Sequence, residues 1–268
     1  MGRIGIFDRG LGGLLVMKEI AKQLPAYDLV YLGDNLLTSA AAQPADELYA
    51  RVQKAMAFLI SQECELIIIA SNTVASQSLR RLQQTYLPTQ APERRILSVI
   101  APTAETAVTR TYSGNVGVIG SEGTVASGAF EREIHKRRPG VRVYQQSCPM
   151  LVQLIESGQQ SSPTMDAFLR TYLAPLEAVH VDALILGSAQ YWLIHSQITA
   201  ILGPRVRLID ELAPTAEKLS AYLARHPEID RFLNKDSERN FFCTSKKSFD
   251  LLAPTFYGAP VEAAQITL

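Results

Sequence analysis

The sequence predicts an α/β protein built on parallel sheets. Two observations carry this reading. Strand-like and helix-like patterns alternate along the whole chain, the order expected when helices cover both faces of a parallel sheet. Two apolar runs, Leu66-Ile67-Ile68-Ile69-Ala70 and Leu184-Ile185-Leu186-Gly187, each run into a polar turn that opens a helix. The turns are Ser71-Asn72-Thr73 and Ser188-Ala189-Gln190. Their faint likeness points to two related α/β halves rather than to a short repeat.

The elements follow in order. Residues 3–7 read as a strand, 14–24 as a helix and 29–32 as a short strand ending at Gly33-Asp34. Residues 47–62 have helical periodicity, with Leu48, Val52, Ala55, Met56 and Leu59 on one face. A strand at 66–70 and a helix to about residue 86 come next. Residues 96–100 are a strand, and Pro102 helps to start the following helix. Strands at 116–119, 141–145, 183–186 and 206–209 alternate with helices at 124–135, 148–156, 165–179, 192–202 and 213–224. The end gives a strand at 241–243 and a short helix at 249–252. Loops are expected at 88–95, 158–164 and 226–238.

The 268 residues suffice for one large domain or two of ordinary size. Hydrophobic residues at 47% and charged residues at 19% match a globular chain that can bury a core. Lys+Arg and Asp+Glu both number 26, so no global basic field favours nucleic acid or an anionic membrane. Lys136-Arg137-Arg138 reads as a solvated helix end. The start has no signal-peptide pattern, and no run approaches the length of a membrane span. Cys64, Cys148 and Cys243 are odd in number and widely spaced, without disulfide or zinc spacing. Cys64 and Cys243 read as buried small hydrophobes, and Cys148 before Pro149 as structural. The expectation is a cytoplasmic protein without metal.

The chemistry lies at the strand ends. In an open α/β sheet, ligands bind beyond the carboxyl ends of the strands. A cleft between the two halves, lined by both serine turns, is the expected site. Ser71 and Ser188 each suit an N-cap, where a hydroxyl accepts a first-turn N–H. The same geometry offers free N–H groups and a positive helix end to an anion such as a dicarboxylate. Asn72 and Thr73 add donors, and Ser121-Glu122-Gly123-Thr124 is a third helix start of this kind. A serine nucleophile needs a base held by a third group, and no histidine flanks either serine. Phe7-Asp8-Arg9-Gly10-Leu11-Gly12-Gly13 is a strand and glycine turn without the dinucleotide or P-loop spacing. Asp8 reads equally as a turn acid or as a cleft carboxylate. Arg9 places a cation at the same mouth, paired with Asp8, Asp34 or Glu156. Trp192 either covers the pocket or fills the core.

These segments resemble glutamate racemases over almost the whole chain. The matching stretches include Ile4-Gly5-Ile6-Phe7-Asp8, Gly10-Leu11-Gly12-Gly13-Leu14, Gly33-Asp34 and Asn72-Thr73. Further on stand Val116-Gly117-Val118-Ile119-Gly120 with Glu122-Gly123-Thr124, Cys148-Pro149 with Glu156, and Leu184-Ile185-Leu186-Gly187. The resemblance implies two Rossmann-like domains with the ligand cleft between them, 1–99 plus 210–268 and 100–209. It implies no pyridoxal phosphate, no metal and no other cofactor, and a role in supplying D-glutamate for peptidoglycan. It also implies a possible homodimer and, as in some members, DNA gyrase as a protein partner.

The resemblance further implies a mechanism with two cysteine thiols on opposite faces of the substrate Cα. Ser71 and Ser188 align with those cysteines. Gln190 aligns with a histidine that assists the second thiol, and Ala189 with a substrate-contacting threonine. Arg9 stands where a serine touches the substrate, and Ser39-Ala40-Ala41 where a Pro-Tyr-Gly clamp is expected. Asp8, Asn72, Thr73, Thr124 and Glu156 are retained candidates. A serine hydroxyl is a poor base without help, and an amide exchanges no proton near neutral pH. The expectation is a racemase homologue that is inactive or strongly impaired and binds a small anion, such as an amino acid or dicarboxylate, or a protein partner. The rival is a cofactor-independent enzyme of the wider aspartate/glutamate racemase superfamily with altered chemistry or residual racemisation. Neither reading involves direct nucleic-acid or membrane contact.

Overall fold

A computed structural model describes residues 2–36 and 44–268. Strand β1 (Arg3–Asp8) is buried from its second residue on. The turn after it feeds α1 (Gly13–Gln23), whose residues Leu14, Val16, Met17 and Ile20 face the core. Gly13 is required here, because a Cβ would lie 2.6 Å from Asp8 Cβ and 3.1 Å from Ala70 Cβ. Strand β2 (Leu29–Gly33) is fully buried. Helix α2 (Ala45–Ser61) has Asp46 and Glu47 in its first turn, complementing the helix dipole, and buries the apolar face read from its periodicity.

Strand β3 (Cys64–Ile69) is an apolar run buried almost throughout, as expected for a central parallel strand. It leads to α3 (Asn72–Arg81), a π-helical turn at Leu82–Tyr86 and α4 (Leu87–Gln90). The loop expected at 88–95 therefore starts later. Tyr86 and Leu87 are both helical, so the path from α3 runs through the π turn into α4 and on to Gln90, with Pro88 as the second residue of α4 inside it. Strand β4 (Arg95–Ser98) and α5 (Ile100–Arg110) follow.

Next come β5 (Asn115–Gly120), α6 (Glu122–Ala126) and α7 (Ala129–Arg137). The sequence predicts one helix here, but Gly128 adopts φ +61° and splits it. The Lys136-Arg137-Arg138 stretch is the exposed end of α7, with Lys136 and Arg137 paired to Glu133. Strand β6 (Arg142–Ser147), α8 (Pro149–Glu156), α9 (Pro163–Ala178) and β7 (Ala183–Gly187) are followed by a 3₁₀ turn, Ala189–Ile194. Helix α10 (His195–Leu202) thus begins later than the sequence predicts. Strand β8 (Arg207–Ile209) and α11 (Leu212–Arg225) come next. The loop expected at 226–238 contains a turn of helix, α12 (Pro227–Asp230), opened by proline. Strand β9 (Arg239–Cys243), α13 (Lys246–Tyr257) and the short β10 (Ala264–Gln265) end the chain.

The chain divides into two compact units, Met1–Val99 with Leu212–Leu268, and Ile100–Glu211. The first holds a sheet of order β10-β9-β2-β1-β3-β4 and the second a sheet of order β6-β5-β7-β8. All pairings in both are parallel, so the predicted α/β class with parallel sheets is the observed one. Each sheet has a place where consecutive strands depart to opposite sides. From β1 the chain goes to β2 on one side and to β3 on the other; from β5 it goes to β6 and then to β7. The carboxyl ends of β1 and β3, and of β5 and β7, therefore flank the switch points where open α/β sheets bind ligands. Among the described residues no helix is long and apolar enough to cross a membrane.

Candidate active site

At the switch point of the first unit, Ala70 N–H donates to Phe7 O across 2.8 Å, which sets the β1 and β3 ends side by side. Asp8, Arg9, Ser71 and Asn72 are all buried here, and Thr73 is half-buried. Asp8 Oδ2 accepts the Gly13 N–H at 2.8 Å. Burial pushes the Asp8 carboxyl above its ordinary value, against the pull of the Gly13, Arg9 and Gly10 backbone N–H groups and of the Arg9 charge. Asp8 Oδ2 thus braces the turn, while its carboxyl stands at the carboxyl end of β1. Tyr31 supports the same turn by donating its hydroxyl to Gly10 O at 3.0 Å.

Arg9 is surrounded by charge. Burial lowers its pKa, Asp34 and Asp8 oppose that shift, and Arg51 adds to it. Asp34 is held by the Arg51 guanidinium, with Nη2 at 2.6 Å from Oδ1 and Nε on Oδ2, and it accepts the Thr244 hydroxyl at 2.9 Å. The hydrogen bond to Asp34 in turn raises the Arg51 pKa. Ser71 behaves as a helix cap: its backbone is extended and its Oγ accepts the Val74 N–H at a long 3.5 Å. Asn72 and Thr73 form the first turn of α3. Ser39, Ala40 and Ala41 lie outside the described residues.

At the switch point of the second unit, Gly120 and Gly187 are register partners. A Cβ on Gly187 would lie 2.6 Å from Ile119 O, so this close approach demands glycine. Ser121 Oγ accepts the Thr124 N–H at 3.2 Å, and Thr124 is fully buried. The N–H that the sequence reading offers to an anion is thus satisfied by the Ser121 side chain. Ser188 differs from Ser71. It stands before the 3₁₀ turn but makes no side-chain cap hydrogen bond, so its expected capping role is corrected. The tight 3₁₀ path replaces the α-helical first turn that such a cap would serve.

Ala189 and Gln190 are buried behind Ser188. Gln190 Nε2 donates to Glu156 Oε1 at 2.8 Å, joining the turn after β7 to the last residue of α8. Tyr191 donates its hydroxyl to Cys148 O at 3.4 Å beneath them. Trp192 is 38% exposed and stacks on His195 with 4.4 Å between ring centres, which overturns the reading of it as a core residue. The three thiols are all buried, with Cys148 directly after β6 and its N–H on Gly120 O at 2.8 Å. Burial pushes Cys64 and Cys148 up to about 12 and raises Cys243 as well.

The structure thus gathers Asp8, Arg9, Ser71, Asn72 and Thr73 at one switch point, and Thr124, Glu156, Ser188, Ala189 and Gln190 around the other. Sequence reading missed Arg51 and Thr244 as the partners of Asp34. They come from a distant helix and strand, and no spacing announces them. It also missed the Gln190–Glu156 bond, although both residues stood out singly.

The family model for Asp/Glu/Hydantoin racemase matches residues 13–219. The chain belongs to this family. It is 33% identical to the glutamate racemase of Desulforudis audaxviator over 267 residues, covering 97% of this chain and 96% of the relative. A glutamate racemase structure from Bacillus anthracis, isoform RacE1, superposes with TM-score 0.90 at 30% identity, covering 100% of this chain and 98% of that one. The Francisella tularensis glutamate racemase, solved in complex with D-glutamate, gives TM-score 0.88 at 28% identity, with 99% and 97% covered. The chain is a homologue of glutamate racemases, with their two-domain α/β fold.

Proposed function

We propose that this racemase-family member binds a small anionic ligand at its strand ends and has lost, or nearly lost, α-proton transfer. The observation that carries this reading is what stands at the two switch points. Each presents a serine hydroxyl, Ser71 or Ser188, where the resemblance to glutamate racemases calls for a thiol. A thiol near pKa 8.5 can be tuned into a base, whereas a hydroxyl needs a separate base to deprotonate it. None of the chain's three thiols substitutes, since all are buried with raised pKa values. Asp8 is engaged by the backbone of its own turn. Of the four histidines, His135, His195 and His226 contact Val141 O, Trp192 O and Glu228, and His180 precedes the amino end of β7, opposite the Ser188 turn. At position 190 stands an amide that cannot exchange a proton.

Anion binding is supported by the buried Arg9 and by the α3 N-terminus beginning at Asn72 and Thr73. General acid–base catalysis contributes about 10²–10⁴-fold per group, so loss of both thiols and the assisting imidazole removes most of the rate. Calorimetric titration with D- and L-glutamate and both aspartates tests the reading. Saturable binding without turnover is the expected result. Turnover at a rate ordinary for an enzyme, about 1 s⁻¹ or more, contradicts it.

A further inference from the structure

Within the first unit, α2 flanks a groove of about 670 Å³ together with the path that runs from α3 through the π turn into α4. That volume suits a small organic ligand. Ala50, Gln53, Lys54 and Ala57 form one wall, a single stripe of α2 at helical spacing. Arg81, Thr85 and Thr89 form the other, and the buried Tyr49 and Tyr86 form the floor. The π turn at Leu82–Tyr86 is a rare conformation that recurs at functional sites. Around it the Thr85 hydroxyl donates to Arg81 O at 2.6 Å, and the Tyr49 hydroxyl lies 3.2 Å from Thr85 Oγ1. The Tyr49 ring is thereby fixed, and the Arg81 guanidinium lies 3.8 Å above its centre. Arg81 Nη1 donates to Asp46 Oδ1 at 2.7 Å, an exposed pair of the kind that contributes little. Arg81 and Lys54 both line the groove, whereas no Asp or Glu is among its lining residues.

From this arrangement we infer that the groove is a second binding site, for a small aromatic anion. The negative group of such a ligand meets Arg81 and Lys54 in charge-assisted hydrogen bonds. Its ring lies over the Ala50 and Ala57 methyls, which leave the α2 wall low, and over the tyrosine floor. The guanidinium already stacked on Tyr49 offers its other face to the same ring. A cation finds no carboxylate on the walls, and a neutral ring leaves both positive charges unanswered. The inference goes beyond the strand-end site and does not depend on it, since no lining residue belongs to a strand or to the Ser71 turn.

The test titrates the full-length protein, methyl-labelled at alanine and threonine, with three probes. Naphthoate carries ring and charge, naphthylmethanol the ring alone and acetate the charge alone. Naphthoate is expected to shift the Ala50, Ala57, Thr85 and Thr89 methyl signals to saturation below about 10 mM. Naphthylmethanol and acetate are expected to bind there at least about tenfold more weakly. Ala50→Phe fills the groove without touching either cation, and Arg81→Gln and Lys54→Gln each remove one charge from an exposed position. Each is expected to weaken naphthoate by about tenfold, with thermal unfolding confirming the fold. No saturable shift at these methyls overturns the inference. So does equal affinity for naphthoate and naphthylmethanol, or an affinity for naphthoate that all three variants leave unchanged.

Discussion

The Gln190 amide donates to the Glu156 carboxylate across 2.8 Å, so the turn after β7 and the end of α8 are joined by a bond that carries no exchangeable acid. On the proposed reading, restoring the thiols alone leaves an amide at position 190 where the resemblance to glutamate racemases calls for a histidine. A Ser71→Cys, Ser188→Cys variant is expected to exchange the α-proton of glutamate only weakly. Adding Gln190→His should raise that rate by about 10²-fold or more, the usual contribution of one acid–base group. The rates are read by proton NMR in heavy water. Equal rates in the double and triple variants would remove Gln190 from the account.

Asp34 gives a prediction about stability. It is 2% exposed and engaged by both Arg51 and Thr244. Asp34→Ala leaves the Arg51 charge without its carboxylate, at a cost of about 3 kcal/mol, the low end for a broken buried pair because Arg51 keeps some solvent contact. Urea unfolding of the two proteins measures it. A loss below about 1 kcal/mol would show that the pair is worth no more than an exposed one.

Asp182 gives a prediction about pH. Burial pushes its carboxyl up, but hydrogen bonds from the Thr111 hydroxyl at 2.5 Å and the Ser113 and Tyr112 N–H groups at 2.6 and 2.9 Å together hold it below its ordinary value. A depressed carboxyl contributes stability that is present above the unfolded pKa of about 3.9 and is lost as pH falls through the folded pKa. Asp182→Asn should lower stability at neutral pH and flatten its dependence on pH below about 4. An unchanged acid limb in the variant would contradict this assignment.

The thiols can be counted in solution. With Cys64, Cys148 and Cys243 all buried and their pKa values raised, native protein at pH 8 should react with a thiol reagent at least about 10²-fold more slowly than unfolded protein. Unfolding in guanidinium should release three thiols. Fast reaction of any one in the native state would reveal a reactive cysteine and weaken the case against thiol chemistry.

Much of the fold was legible because parallel strands are buried on both faces and read as apolar runs. The Ile67-Ile68-Ile69 and Leu184-Ile185-Leu186 runs announced both switch-point strands directly. What escaped was local. Proline reads as a breaker, yet α12 opens on Pro227, where a proline in a first turn costs no hydrogen bond, and Pro88 lies inside a continuing helical path. Gly128, read as an ordinary helix residue, splits α6 from α7 through its left-handed conformation. At the candidate site, single residues were visible but their partners were not. Asp34 meets Arg51 and Thr244 through tertiary packing over 17 and 210 positions of sequence, and no periodicity encodes such contacts.

The most direct test of the account is α-proton exchange by the unaltered protein. D- and L-glutamate and both aspartates are incubated with it in heavy water, and proton NMR follows deuterium entering Cα. The account predicts no exchange above the protein-free control for any of the four. Exchange that is robust in the wild type and disappears in a Ser71→Ala, Ser188→Ala variant would show that the two serines still support proton transfer, and would contradict it.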